Sequence, residues 1–410
     1  MKSIKPFHFH HVIQANASKS DAQRCLILAA FSEQPVQING LDSSEDILSM
    51  IQCIEAMGAT FDKETETVHP VRERNISALT LNVGESGFAL RTLALVSLAC
   101  TKNLNMTGAG TLLNRNQHQL CTVLSNLGLK VSSANEKLPL HIQGDVTASD
   151  IVVNGTDGSQ VISGIFLLAP LLKHESIIAI ENPTSKPYLE MTLSRMRDFG
   201  FTVIELEENK YTIPGNQQSK LKEIKLEGDW SGAANHLVGA AISGQVELHG
   251  LVKNSKQADK AILEILKAYG AEIIWKDNTL LVRASEVKKP FQANVIDCPD
   301  LFPILVVLAC SVKGISQIYG IHRLKNKESN RLNVMCELLD KWKVGYQIEE
   351  NNIRIIGTGS VVGSEINTHD DHRIAMAGTI AACISDSEMV LNEDRCVKKS
   401  YPNFFKDLRI

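Results

Sequence analysis

No two cysteines in this chain are spaced C-x-x-C, and the nine that occur, an odd number, are scattered from Cys25 to Cys396. That pattern argues against a disulfide framework and suits reduced thiols in a cytosol. Most lie inside apolar runs, as Cys25, Cys100, Cys310 and Cys383 do, and read as small core residues. No apolar run is long enough for a bilayer: the longest, near residues 161–172 and 302–312, fall short of the roughly 20 residues required. The first twelve residues hold too short an apolar stretch for a signal peptide. No basic field covers the molecule, whose net charge is -4, so a nucleic-acid or membrane partner is not expected. An anionic ligand would have to be held by local clusters of cations. There is no low-complexity segment. A soluble cytoplasmic protein is expected.

What is present is globular in character. With 44% hydrophobic and 21% charged residues, the composition excludes disordered, fibrous and coiled-coil classes. At 410 residues, two to three domains are expected. One polar-then-apolar pattern recurs six times at a spacing of roughly 70 residues. Its openings are Ser18-Lys19-Ser20, Gly84-Glu85-Ser86-Gly87, Gly158-Ser159-Gln160, Gly228-Asp229-Trp230-Ser231, Cys298-Pro299-Asp300 and Asp370-Asp371-His372-Arg373. Each runs into an apolar stretch, and most reach a second apolar-periodic segment ending near a glycine, as at Gly58, Gly128, Gly200 and Gly270. Small polar residues before an apolar helix pattern mark its start, and glycine marks its stop. Six helices are thus predicted to begin with reactive or anion-binding side chains.

Between them, β-branched or alternating segments at residues 79–83, 151–154, 223–226 and 271–275 read as strands. The result is a repetitive α/β fold of six units. The charged segment 205–222, with Pro214-Gly215, reads as a turn-rich connection between the third and fourth units. A domain crossing is placed near Leu226-Glu227, dividing the chain three units by three.

Several motifs carry chemistry. Lys19 at a helix start and Arg24 one turn inward can face the same anion, helped by free backbone N–H groups and the helix dipole. A solvated cap fits the same residues. Gly87 permits close approach of a ligand to the backbone. Arg115 precedes an amphipathic helix and fits a surface role or an anion. Ser159-Gln160 and Ser185-Lys186-Pro187-Tyr188 supply neutral donors suited to phosphate and sugar-like hydroxyls, or ordinary caps. Asp300, at the mouth of a very apolar stretch, is either a helix cap or a general base. Lys327 and Arg331, four apart beside Glu328, fit one face of a helix as a surface ion-pair cluster or as ligand contacts. His369-Asp370-Asp371-His372-Arg373 could suggest a metal, but Arg373 in the same turn favours an anion, and no metal is expected. His8, His10 and His11 lie along a predicted strand and read as surface residues.

Taken in order, these motifs resemble the 5-enolpyruvylshikimate-3-phosphate synthase family of enolpyruvyl transferases, over nearly the whole chain. The resemblance runs from S-K-S-x-x-x-R at 18–24 through the turn at Gly87 with Arg91, Arg115, Ser159-Gln160, Ser185-Lys186-Pro187-Tyr188 and Glu227-Gly228-Asp229. It continues through Pro299-Asp300, Lys327-Glu328-Ser329-x-Arg331, Asp371-His372-Arg373 and Cys396-Val397-Lys398-Lys399-Ser400-Tyr401-Pro402. It implies a two-domain α/β fold, each domain three repeated units, with the active site in the interdomain cleft. The domains would be 17–226 and, discontinuously, 1–16 with 227–410. It implies transfer of the enolpyruvyl group of phosphoenolpyruvate to the 5-hydroxyl of shikimate 3-phosphate with release of phosphate. No metal or organic cofactor is required, the partners are these small molecules, and a monomer is expected.

By the same resemblance, Lys19, Gly87, Arg115, Gln160, Arg331, Arg373 and Lys399 surround phosphoenolpyruvate. Lys19, Ser20, Arg24, Ser159, Gln160, Ser185, Asp300 and Lys327 hold shikimate 3-phosphate. Glu328 is the expected proton donor and Asp300 the proton acceptor, with Lys19 the third catalytic group. The chain departs from the common family pattern at Asn16-Ala17, where Pro-Gly is usual, and at Glu85 and Phe88, where asparagine and threonine are usual. Gly158 stands where a serine often binds the sugar phosphate, although its N–H could still donate, and Arg323 falls near a common asparagine. The rival readings are the related transferase acting on UDP-N-acetylglucosamine, a metal phosphohydrolase around residues 369–372, and a binding protein without turnover. The first typically has a cysteine near Arg115, and residues 108–119 contain none.

Overall fold

One strand arrangement repeats through the protein, whose computed structural model describes residues 1–410. A parallel pair is extended by an antiparallel hairpin. Leu79–Asn82 runs parallel to Asn103–Thr107, which pairs antiparallel with Leu140–Gln143, and Lys130–Ser132 closes the edge. Asp150–Asn154, Ser176–Glu181, Lys210–Ile213 and Ile204–Glu207 repeat this, as do Gln292–Asn294, Gly314–Tyr319, Asn352–Gly357 and Gly345–Glu349. In the remaining sheets the chain's crossings supply a strand. Glu223–Lys225 lies parallel to Val36–Asn39, and His10–Gln14 lies parallel to Gln245–His249. The smallest sheet joins Lys2–Ile4, Met389–Leu391 and Glu365–Ile366.

The chain divides into two compact units, Lys19–Leu226 and Met1–Ser18 with Glu227–Ile410. Each holds three of the six sheets, and no ladder pairs strands of different units.

All six predicted helix starts are present. The helices are α1 (Lys19–Ala30), α2 (Gly87–Val96), α3 (Gln160–Leu168), α4 (Trp230–Ser243), α5 (Phe302–Cys310) and α6 (His372–Ala381). They are core helices rather than surface ones: every residue of α5 and α6 is buried, and in α2 only Arg91 escapes burial. A helix apolar all round must be enclosed by protein, so the polar groups such a helix carries collect at its ends. Asp371 caps α6 through Arg373 N–H at 2.9 Å, and Asp229 caps α4 through Gly232 N–H at 2.9 Å. The outer helices Glu45–Ala56, His118–Asn126, Lys186–Asp198 and Ile262–Tyr269 stop beside their predicted glycines. No helix is long and apolar enough to cross a membrane.

The segment 205–222 differs from expectation in its first half. Residues 205–213 belong to a hairpin on the sheet that holds Ser176–Glu181, with Tyr211, Thr212 and Ile213 buried and the partner Ile204–Glu207 exposed along its length, while 214–222 is the turn-rich connection. His10 is exposed and His11 half-buried in the strand His10–Gln14, whereas His8 precedes it.

Candidate active site

In the Lys19–Leu226 unit the starts of α1, α2 and α3 are stitched together. Ser86 caps α2 through Ala89 N–H at 3.2 Å, and its hydroxyl donates to Gln23 Oε1 of α1 at 2.9 Å. Gly87 opens α2 with no side chain, and the space above it is occupied by others' functional groups. A Cβ there would lie 3.0 Å from Arg91 Nη1, 3.3 Å from Arg115 Nη1 and 3.7 Å from Gln160 Oε1. Gly87, Arg115 and Gln160 are therefore together, with Arg91 added: Arg91 Nη1 donates to Gln160 Oε1 at 2.6 Å. Two guanidiniums and an amide over bare backbone make a site for a small anion. Arg115 Nη2 donates to Thr111 Oγ1 at 3.0 Å, and the Thr111 hydroxyl is 3.4 Å from Glu85 Oε2.

Lys19 Nζ pairs with Asp46 Oδ2 at 2.7 Å, both side chains largely covered. Asp46 comes from the first turn of Glu45–Ala56, where a carboxylate reads simply as a complement to the helix dipole. Nothing in the sequence marked it as the partner of Lys19.

Arg24 is buried, and all three of its nitrogens are engaged within the Lys19–Leu226 unit. Its Nε donates to Thr192 Oγ1 at 2.7 Å, Nη1 to Ser20 O at 2.5 Å and Nη2 to Tyr188 O at 3.1 Å. The guanidinium also lies 4.4 Å from the Phe88 ring centroid, so the unusual Phe88 supplies a cation–π face. Arg24 is thereby a strut joining α1 to Lys186–Asp198. Ser20 is half-buried, and Ser159 and Ser185 are buried beside the starts of α3 and Lys186–Asp198. Ser185 has φ +55°, a left-handed conformation. Gly158 has φ +115°, which a serine would adopt only with strain. Its N–H, expected to be available, already donates to Gly155 O at 3.1 Å.

The other unit gathers Asp300, Lys327, Glu328, Arg331, Arg373 and Lys399. Arg331 is fully buried and divides its donors among three carboxylates. Nη1 meets Asp300 Oδ1 at 2.5 Å, Nη2 meets Glu328 Oε2 at 2.7 Å, and Nε meets Asp371 Oδ2 at 2.9 Å. Ser329 Oγ also donates to Asp371 Oδ2 at 3.0 Å. Arg373 Nη2 reaches Asp300 Oδ2 at 3.5 Å, while its Nε and Nη1 are buried with no hydrogen-bond partner. Lys399 Nζ lies 3.8 Å from Glu328 Oε1. Arg323 Nη1 donates to Ile296 O at 2.6 Å.

Here too the structure corrects the sequence. Lys327 and Arg331 do not share a helical face, because the helix begins at Arg331 with Asn330 as its cap. Lys327 and Glu328 lie in the preceding turn, which lets Glu328 fold back onto Arg331. Asp300 is not an N-cap but sits in the short 3₁₀ turn Pro299–Leu301 ahead of α5. Burial alone would raise the Asp300 carboxyl, but Arg331, Arg373 and Lys327 outweigh it and hold it well below the usual range. Burial, with Arg323 and Arg331, lowers the Lys327 ammonium to about 8 against the opposing pull of Asp300 and Glu328. An ionised carboxylate and a second carboxyl, fixed on one guanidinium and flanked by Arg373, whose buried Nε and Nη1 have no partner, can exchange protons beside a bound anion.

A family model described as EPSP synthase (3-phosphoshikimate 1-carboxyvinyltransferase) matches residues 6–408. A 3-phosphoshikimate 1-carboxyvinyltransferase of Clostridium perfringens is 32% identical over 415 residues, covering 99% of this chain and 97% of that protein. One from Methanocorpusculum labreanum is 32% identical, covering 97% of this chain and 95% of its own length. The solved EPSP synthase of Acinetobacter baumannii superposes with a TM-score of 0.82 at 26% identity, over 99% of this chain and 97% of that one. The enolpyruvyl transferase NikO of Streptomyces tendae, at 13% identity and TM-score 0.78, covers 99% of this chain and 96% of its own, and shows the shared fold alone. A match of this length, in sequence and in backbone, leaves one conclusion: the chain belongs to the EPSP synthase (3-phosphoshikimate 1-carboxyvinyltransferase) family.

Proposed function

We propose that the protein transfers the enolpyruvyl group of phosphoenolpyruvate to the 5-hydroxyl of shikimate 3-phosphate, with both groups of side chains serving this one reaction. Lys19, Gly87, Arg115, Gln160, Arg331, Arg373 and Lys399 take phosphoenolpyruvate, and Arg91 assists by fixing Gln160. Ser20, Ser159, Gln160, Ser185, Asp300 and Lys327 take shikimate 3-phosphate, with Lys19 shared and Arg24 shaping that side from behind.

Glu328 delivers a proton to the methylene carbon of phosphoenolpyruvate, leaving the adjacent carbon cationic. The 5-hydroxyl oxygen bonds to that carbon and gives its proton to Asp300. The tetrahedral adduct then breaks its bond to the phosphate oxygen, phosphate leaves, and Glu328 removes a proton from the new methyl group. Asp300 is a weak base while Arg331 and Arg373 face it alone. Anions bound to those arginines offset their charge and raise its basicity when the alcohol is in place.

The observation that carries the proposal is the pairing of Asp300 and Glu328 on the single guanidinium of Arg331, at 2.5 and 2.7 Å. The test is phosphate release with both substrates present. Glu328→Gln and Asp300→Ala are each expected to lower turnover about 100-fold or more, the scale of a lost general acid or base, with small changes in substrate binding. Near-normal turnover by Glu328→Gln would remove its assigned role. Phosphate release with UDP-N-acetylglucosamine in place of shikimate 3-phosphate would reassign the acceptor.

A further inference from the structure

Lys399 ends a 3₁₀ turn, Arg395–Lys399, which has few apolar groups of its own to hold it in place. Two tethers follow it immediately. The carbonyl of Ser400 accepts from Asn16 Nδ2 at 2.9 Å. The Tyr401 hydroxyl lies 2.8 Å from Asp407 Oδ2 and 2.9 Å from His236 Nε2, with His236 and Tyr401 almost fully buried. The hydroxyl donates its hydrogen bond to the Asp407 carboxylate, so it accepts one from an Nε2–H, which sets the imidazole tautomer. Burial, reinforced by His11, pushes His236 down to about 3, so the ring is neutral.

Two features of these contacts carry a local energetic cost. His236 sits among the rings of Phe9, Tyr401 and Phe404. Its Nδ1 is buried without a hydrogen-bond partner, a penalty of roughly 1–3 kcal/mol that phenylalanine would not incur. Gly232, in the first turn of α4, forgoes up to about 1 kcal/mol of helix propensity relative to alanine. A Cβ at Gly232 would lie 2.8 Å from Asn16 Oδ1, and 3.0 Å from both Tyr401 Cδ1 and Asp229 Oδ2. The bare helix face is thus the seat on which both tethers converge. Asn16, one of the departures from the family pattern, has an amide to offer where the usual Pro-Gly has none.

We propose that Asn16 and Tyr401, seated over Gly232, and His236, one turn further along α4, are positioning residues that lock the Lys399 turn so that its ammonium is ready for the phosphoenolpyruvate anion. The proposal rests on the reading of Lys399 given above. Steady-state kinetics with each substrate varied in turn tests both at once. Lys399→Met is expected to raise KM for phosphoenolpyruvate about tenfold or more, the loss of a charge-assisted contact. His236→Phe and Gly232→Ala should raise the same constant about three- to tenfold with kcat and KM for shikimate 3-phosphate nearly unchanged, the pattern of lost uniform binding. His236→Gln, whose amide can stand in for the Nε2–H, should restore most of it. Gly232→Ala gains helix propensity but crowds Asn16 Oδ1 and the Asp229 cap oxygen, so its heat stability is measured alongside. A loss of phosphoenolpyruvate affinity at wild-type stability is not explained by poorer folding, and if the variant is less stable the His236→Phe and His236→Gln pair decides. If Lys399→Met raises KM but His236→Phe and Gly232→Ala do not, the lock is overturned and the site reading stands. If Lys399→Met itself has no effect, both fall.

Discussion

Lys327 shows how a single residue's surroundings set a pH response. Its ammonium, ordinarily at 10.5, is lowered to about 8, with burial the largest cause. The charge is present below that pH and lost as pH rises through it. If the ammonium holds the phosphate of shikimate 3-phosphate, affinity of the free protein should fall above about pH 8, approaching tenfold per pH unit where one proton is linked to binding. Stability has the opposite sign. Between about 8 and 10.5 the unfolded chain binds the proton and the folded one does not, so this residue makes the unliganded fold more stable as pH rises through that window. Calorimetric titration of shikimate 3-phosphate from pH 7 to 9.5 checks the first expectation. Lys327→Arg, which stays charged throughout, should give a flat profile. A flat wild-type profile would show that Lys327 does not carry the phosphate.

At the scale of elements, the crossing of α2 and α3 decides how closely Gly87 and Gln160 approach. Gly164 lies at the contact, where a Cβ would sit 2.8 Å from Arg91 O, 2.8 Å from Leu95 Cδ1 and 3.1 Å from Thr92 Cα. Two of these are backbone atoms, which cannot swing aside. Gly164→Ala should therefore destabilise the protein by up to about 2 kcal/mol, because overpacking of roughly 1–3 kcal/mol is offset by a propensity gain of only about 1 kcal/mol. It should also weaken phosphoenolpyruvate binding by separating Arg91 from Gln160. Urea unfolding measures the first effect, and a stabilised variant would contradict this account of the crossing. The same elements show what the sequence made legible. The helix starts were readable because a glycine, serine or aspartate ahead of Ala-Leu-Ile runs has a local cause. The exposed hairpin strand Ile204–Glu207 was hidden because its charges look like a connector's and its partner strand carries the burial. Glu328 and Arg331 were rightly placed together but on the wrong geometry, since a spacing of three or four fits a helix as well as a turn folded back on a cap. Asp46 and Asp371 left no readable trace as partners of Lys19 and Arg331. Each sits at a helix start, where a carboxylate already has a sufficient local reason, and only the fold reveals the second role.

For the whole molecule, the division of sheets has a consequence for folding. Lys19–Leu226 is one uninterrupted stretch, and its three sheets take every strand from within it, including Glu223–Lys225 beside Val36–Asn39. Its core helices α1, α2 and α3 pack with sheets and helices of the same stretch, and Arg24 and Arg195 are satisfied inside it by Thr192, Tyr188 and Asp21. A segment of that length with its own core meets the physical conditions for independent folding. We therefore expect a fragment of residues 19–226 to unfold cooperatively in urea and to keep the far-ultraviolet circular dichroism of mixed α/β structure. It should bind shikimate 3-phosphate weakly, since Asp300 and Lys327 are absent, and it should release no phosphate, since Glu328, Arg331, Arg373 and Lys399 are absent as well. A non-cooperative transition would mean that the stretch depends on the rest of the chain for its stability. Detectable turnover by the fragment would be more damaging, because it would place the proton transfers on residues other than Asp300 and Glu328.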